Sequence, residues 1–188
     1  IGVSKGSFEN PLFDAFEEAG SQSGQGYSED LNGYKPEGIA RLDATRKNGR
    51  RCSAATAHLK PALARGNITL LTRAQVIKID IDGHSVSGVT FQHKGKIHSV
   101  EANKEVILSG GAINSPHLLM LSGIGPSEHL KEHGIDVHVD LPGVGQNLQD
   151  HPCIILQYAC KKSFPIHKVN QPHRKLATGI RWVFTRKG

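Results

Sequence analysis

The stretch that most constrains this chain is residues 104–125, Lys-Glu-Val-Ile-Leu-Ser-Gly-Gly-Ala-Ile-Asn-Ser-Pro-His-Leu-Leu-Met-Leu-Ser-Gly-Ile-Gly. Its order predicts an apolar strand at 106–108, a turn at Ser109-Gly110-Gly111, and then a helix. Ser115 is a natural N-cap, Pro116 a natural first helical residue, and Gly123 a natural left-handed stop. Glycines in such a turn let backbone N–H groups approach an anionic ligand, and the helix N-terminus adds roughly half a positive charge there. On geometry alone, the same small residues serve equally well as a tight strand-to-helix connection.

The surrounding pattern alternates strands and helices, which predicts a mixed α/β fold. Asn10-Pro11 opens an amphipathic helix with Leu12, Phe13, Phe16 and Ala19 on one face and Gly20 near its end. Residues 24–38 are polar and glycine-rich and read as loop. A second helix is expected at about 53–63, disturbed by Pro61. Strands follow at 67–71, 74–81, 86–92 and 96–101, with Asp82-Gly83 and Lys94-Gly95 as turns, so a small meander precedes the 106–108 strand. Residues 127–133 predict a short helix stopped by Gly134, followed by alternation at Ile135, Val137 and Val139. A last strand is expected at 154–159, and a basic amphipathic helix at 172–184 carries Leu176, Ile180, Val183 and Phe184 on one side.

Charge is unevenly placed. Residues 161–188 hold Lys161, Lys162, Lys168, Arg174, Lys175, Arg181, Arg186 and Lys187 without a single acid, so these eight exceed the net charge of +6. Such a tail attracts polyanions or an anionic lipid surface. Aromatics make up only 5% and no nucleic-acid motif is present, so the sequence gives no reason to expect a nucleic-acid partner. Membrane-surface contact through 161–188 remains as an expectation, beside a plain surface helix. Cys52, Cys153 and Cys160 have no C-x-x-C spacing, which argues against a thiolate metal site or disulfide framework and fits a reducing compartment, mitochondrial or cytoplasmic. His129-Leu130-Lys131-Glu132-His133 matches a zinc-peptidase pattern, but the helix ends one residue later and no third ligand is evident; no metal is expected. Asn67-Ile68-Thr69 fits a glycosylation triplet and reads as accidental.

Three ordered landmarks carry a more specific signal. Gly111-Ala112-Ile113-Asn114-Ser115-Pro116-His117-Leu118-Leu119-Met120-Leu121-Ser122-Gly123-Ile124-Gly125 resembles the second signature of the glucose–methanol–choline (GMC) oxidoreductases. Leu141-Pro142-Gly143-Val144-Gly145-Gln146-Asn147-Leu148-Gln149-Asp150-His151 resembles that family's next landmark. Upstream, Arg51-Cys52-Ser53 through Pro61 resembles its R-x-S-x-x-x-A-x-L-x-P segment. The wording is nearest to the choline-oxidising members.

The resemblance implies FAD as cofactor and part of a Rossmann-like FAD-binding domain interleaved with part of an antiparallel-sheet substrate domain. Residues 1–58 would belong to the substrate domain and lid, 59–150 to the FAD domain, and 151–188 to the substrate domain again. Val76 would present its backbone to the adenine. Ser109, Gly110 and Ala112 would face the adenosine–pyrophosphate half, with Asn147 also on the cofactor and His151 in the shell of the active site. The implied reaction is oxidation of a primary alcohol, choline to betaine aldehyde, with dioxygen or a quinone as acceptor. Cys153 stands where choline-specific relatives carry a glutamate that pairs with the trimethylammonium group, and a thiol carries no such charge at neutral pH. Another alcohol, a lyase that keeps FAD without net redox, or a non-catalytic binding domain with a basic tail are the alternatives. No Gly-x-Gly-x-x-Gly fingerprint is present, and the family's catalytic histidine would lie beyond residue 188. The chain therefore reads as an internal slice, expected by itself to be inactive and poor at retaining FAD.

Overall fold

The computed structural model describes residues 1–6, 10–157, 159, 161 and 171–185, arranged as two compact units. One unit comprises Ile1–Thr69 and Leu156–Gly188, the other Leu70–Ile155. The fold is mixed helix and sheet, as the alternation predicts.

In the first unit, strand β1 (Ser4–Lys5) precedes helix α1 (Pro11–Gln22). Asn10 caps α1 as its sequence predicts: its Oδ1 accepts the Leu12 N–H at 2.9 Å, and Pro11 fills the first position, where a missing N–H costs nothing. The covered face of α1 differs from the expected one. Leu12 and Phe16 are exposed, while Gly20 is buried against Ile39, whose Cδ1 would lie 2.0 Å from any added Cβ. The absence of a side chain at Gly20, not an apolar stripe, sets how closely the 39–42 segment approaches. Arg41 then reaches back to Asp14 at 2.6 Å and Glu17 at 3.1 Å.

Strand β2 (Asp43–Ala44) pairs with β1, and β3 (Arg46–Lys47) with β4 (Arg50–Arg51), both antiparallel. Asn48 and Gly49, at φ 51° and 68°, form the two-residue turn that such a hairpin favours. The predicted second helix forms as one continuous run over 54–63: a π-type stretch, Ala55–Leu59, leads directly into α2 (Lys60–Leu63). Pro61 has no N–H to continue the regular ladder, and the Lys60 N–H bonds back to Ala55.

Residues 67–71, where a strand is predicted, form no strand; they end the first unit and begin the second. Those residues have no ladder partner, and Leu70 and Leu71 stay exposed. The meander forms as predicted, from β5 (Ala74–Asp82), β6 (Ser85–His93) and β7 (Lys96–Glu101), antiparallel in that order. Lys94 and Gly95 both adopt positive φ in the second turn. Gly88 is required by proximity, since a Cβ there would meet the Val100 carbonyl oxygen at 2.3 Å. Ile79 and Phe91 bury the covered face of this sheet.

Helix α3 spans Gly111–Leu121, so it opens a turn earlier than predicted. Gly111 starts it at φ 85°, Pro116 lies inside it, and Ser115 is not the N-cap. Ser115 still satisfies an N-terminal donor, from within: its Oγ accepts the Gly110 N–H at 3.0 Å. Residues 106–108 form no strand. Gly123, at φ 78°, stops the helix as predicted. Strand β8 (Ile124–Gly125), helix α4 (Ser127–Glu132) and strand β9 (Val139–Asp140) follow, with β8 and β9 parallel. Asp140 accepts the Ser127 N–H at 3.0 Å and so caps α4 across the turn. Only 139–140 of the predicted alternation pairs. Leu130 of α4 is fully buried.

Residues 154–157, which run from the second unit back into the first, form no strand; Tyr158 and Cys160 lie outside the described residues, as do 162–170 and 186–188 of the basic tail. Helix α5 (Pro172–Thr185) forms where the sequence predicts it. Its Trp182 Nε1–H donates to the Gly49 carbonyl at 2.9 Å, while Leu176, Ile180, Val183 and Phe184 are exposed. Among the described residues no helix is long and apolar enough to cross a membrane.

Candidate cofactor site

Three segments of the second unit converge on a cavity of about 410 Å³. β5 contributes Ala74, Gln75 and Val76, the segment before α3 contributes residues 107–110, and α3 contributes Asn114, Ser115, His117, Leu118 and Leu121. Its walls combine apolar side chains with a few polar ones, the usual make-up of a small-molecule site. At Gly110, an added Cβ would come 3.1 Å from the Asn114 Cβ and 3.2 Å from the Ser115 nitrogen, so a side chain there would crowd the first turn of α3. These residues fit a planar apolar group with a polar rim, as the adenosine half of a dinucleotide is.

The cavity brings together Val76, Ser109 and Gly110 from the sequence-derived set. Ala112 sits exposed in the first turn of α3 and does not line it. Asn147 and His151 are likewise exposed and outside it. Asn147 adopts φ 56°, a conformation asparagine tolerates better than most residues, and accepts a hydrogen bond from Gln149 Nε2 at 2.7 Å. The His151 N–H donates to Asp150 Oδ1 at 2.8 Å. Cys153 is exposed and unbonded to any other cysteine. Asn114, His117, Leu118 and Leu121 were missed as lining residues, although their i, i+3, i+4, i+7 spacing marks one face of a helix that starts at Gly111.

The rings of His129 on α4 and His133 at its C-terminal cap stand edge to face, with centroids 4.7 Å apart. Among the described residues no group of three or more metal-ligating side chains converges.

Residues 1–153 match the family model of the GMC oxidoreductases. The chain belongs to that family. Over all 188 residues it is 47% identical to the oxygen-dependent choline dehydrogenase of Staphylococcus saprophyticus, covering 33% of that protein. The chain thus spans about a third of the length of the curated relatives it matches. The fold is similar to an FAD-dependent oxidoreductase from Chaetomium thermophilum, with TM-score 0.83 and 27% identity over 99% of this chain and 33% of that one. It is also similar to the formate oxidase of Aspergillus oryzae, with TM-score 0.80 and 29% identity over the same shares.

Proposed function

We propose that this chain supplies the adenosine-facing wall of the FAD site in an alcohol-oxidising GMC enzyme. The observation that carries the reading is the cavity joining the β5 segment around Val76 to Ser109, Gly110 and the Asn114–Leu121 face of α3. Bound there, FAD would supply the electron-pair acceptor for hydride from the alcohol carbon. The protein's part is to hold and orient. Backbone groups near Val76 hold the adenine, while Ser109, Gly110 and Ala112 leave room for the ribose and pyrophosphate beside the opening turn of α3. Asn147 fixes the loop that leads to His151, and His151 stands in the shell around the alcohol, able to donate or accept a proton near neutral pH. Residues 59–150 act as FAD domain, flanked by parts of the substrate domain.

The substrate class is a primary alcohol, with choline oxidation to betaine aldehyde favoured by the 47% identity to an oxygen-dependent choline dehydrogenase. That relative's name favours dioxygen over a quinone as acceptor. Cys153 favours the second reading, an uncharged alcohol, because a thiol stands two residues after His151 where the choline-oxidising relatives' glutamate would pair with a quaternary ammonium group. The basic segment 161–188 is proposed to touch an anionic membrane surface.

An absorbance spectrum of the full-length protein tests the assignment. Flavin bands that bleach when choline is added anaerobically support both cofactor and substrate. Bands that persist with choline but bleach with an uncharged primary alcohol favour the second reading. A colourless protein overturns the assignment.

A further inference from the structure

Strand β5 pairs on one side only, with β6. On its other edge the Ile79 N–H is buried and would lack a partner, but Ser122 Oγ accepts it at 2.8 Å. The same hydroxyl donates to the Leu118 carbonyl at 2.7 Å, and Ser122 is only 6% exposed. One side chain therefore fastens the end of α3 to the edge of a strand 43 positions earlier.

We infer that Ser122 is a positioning residue for the adenosine half of the cofactor, an inference that rests on the reading under Proposed function. Ile79 is three residues from Val76, and Leu118 and Leu121 form the facing wall of the same cavity. The register of β5 slips between Val76 and Lys78, so the strand bulges between the clip and the cavity. Bulged backbone has lost ladder hydrogen bonds and yields more readily than regular strand. A second cavity of about 320 Å³ lies along Ile79, Ser122, Gly123, Ile135 and His138. The strand edge beside the clip is therefore not closely packed on that side, and the Ser122 hydroxyl ties it to α3. Without that hydroxyl the Ile79 N–H is left buried and unsatisfied, and shifting the strand relieves it at the expense of the cavity's width.

The test uses full-length apoprotein titrated with FAD and with FMN, which lacks the adenylate, well below the melting midpoint. In Ser122→Ala the FAD dissociation constant should rise about tenfold, the range expected for orphaning a buried donor, while that for FMN stays within about twofold. Ser122→Thr, which keeps the hydroxyl, should restore most of the FAD affinity. A merely structural role would lower the melting midpoint and leave the ratio of FAD to FMN affinity unchanged, and that result overturns the inference alone. Wild-type protein that takes up no FAD overturns the functional reading and this inference together. If Ser122→Ala does not fold, amide exchange in the wild type decides: the Ile79 N–H should exchange at least tenfold more slowly with FAD bound, and an unchanged rate overturns the proposal.

Discussion

Gly123 lies directly against Asp136: a β-carbon at Gly123 would stand 2.4 Å from the Asp136 carbonyl oxygen and 2.6 Å from the His138 ring. The Gly123 carbonyl in turn accepts the His138 N–H at 2.8 Å and the Val139 N–H at 3.1 Å. This contact joins the end of α3 to the chain entering β9. It needs glycine twice over, for the close approach and for φ 78°.

Gly123→Ala should therefore destabilise the protein by roughly 2–4 kcal/mol, because the backbone strain and the clash add. Urea unfolding monitored by circular dichroism reads the change. A loss below about 0.5 kcal/mol, the scale of an ordinary surface substitution, would show that the contact is looser than described.

Leu130 is the one described side chain that is completely buried among the largest apolar residues. Leu130→Ala should cost about 2–5 kcal/mol, the transfer and cavity terms together. The same treatment of exposed Ile113 should cost under about 1 kcal/mol. Comparable losses at the two positions would contradict this division between core and surface.

Gly110→Val should lower the flavin content of the purified full-length protein several-fold, since its branched side chain enters the space shared with Asn114 and Ser115. Gly143→Val, at a position where an added Cβ meets nothing within 4 Å, is the control. The ratio of flavin to protein absorbance measures both. Equal retention by the two variants would detach Gly110 from cofactor binding.

Cys153→Glu should lower KM for choline by about tenfold, equivalent to roughly 1.4 kcal/mol, while leaving an uncharged primary alcohol unaffected. Steady-state assays on both alcohols separate charge recognition from general repacking. A matching change for the uncharged alcohol would remove Cys153 from the choice of substrate.

His151→Ala should reduce kcat/KM by about 10²-fold, within the range for loss of a proton-handling group, with flavin content unchanged. Loss of flavin in proportion to activity would instead assign His151 to cofactor retention.

Local chemistry alone determined much of this protein. The Asn10-Pro11 cap, the meander with its Lys94-Gly95 turn, the Gly123 and Gly134 stops and the helix at 172–185 each depend on residues near in sequence. The family landmarks were also legible. Tertiary structure alone decided which predicted strands acquired partners: 106–108 and 154–157 form no strand because a strand exists only through its neighbour. It also decided where α3 begins, since Ser115 can satisfy a donor from inside the helix as well as from its end. The covered face of α1 was set by Ile39 seating on Gly20, a contact across the chain that no periodicity encodes. The Ser122–Ile79 clip has the same origin. A hydroxyl at a helix end announces nothing about a strand 43 residues away until packing buries the N–H that needs it.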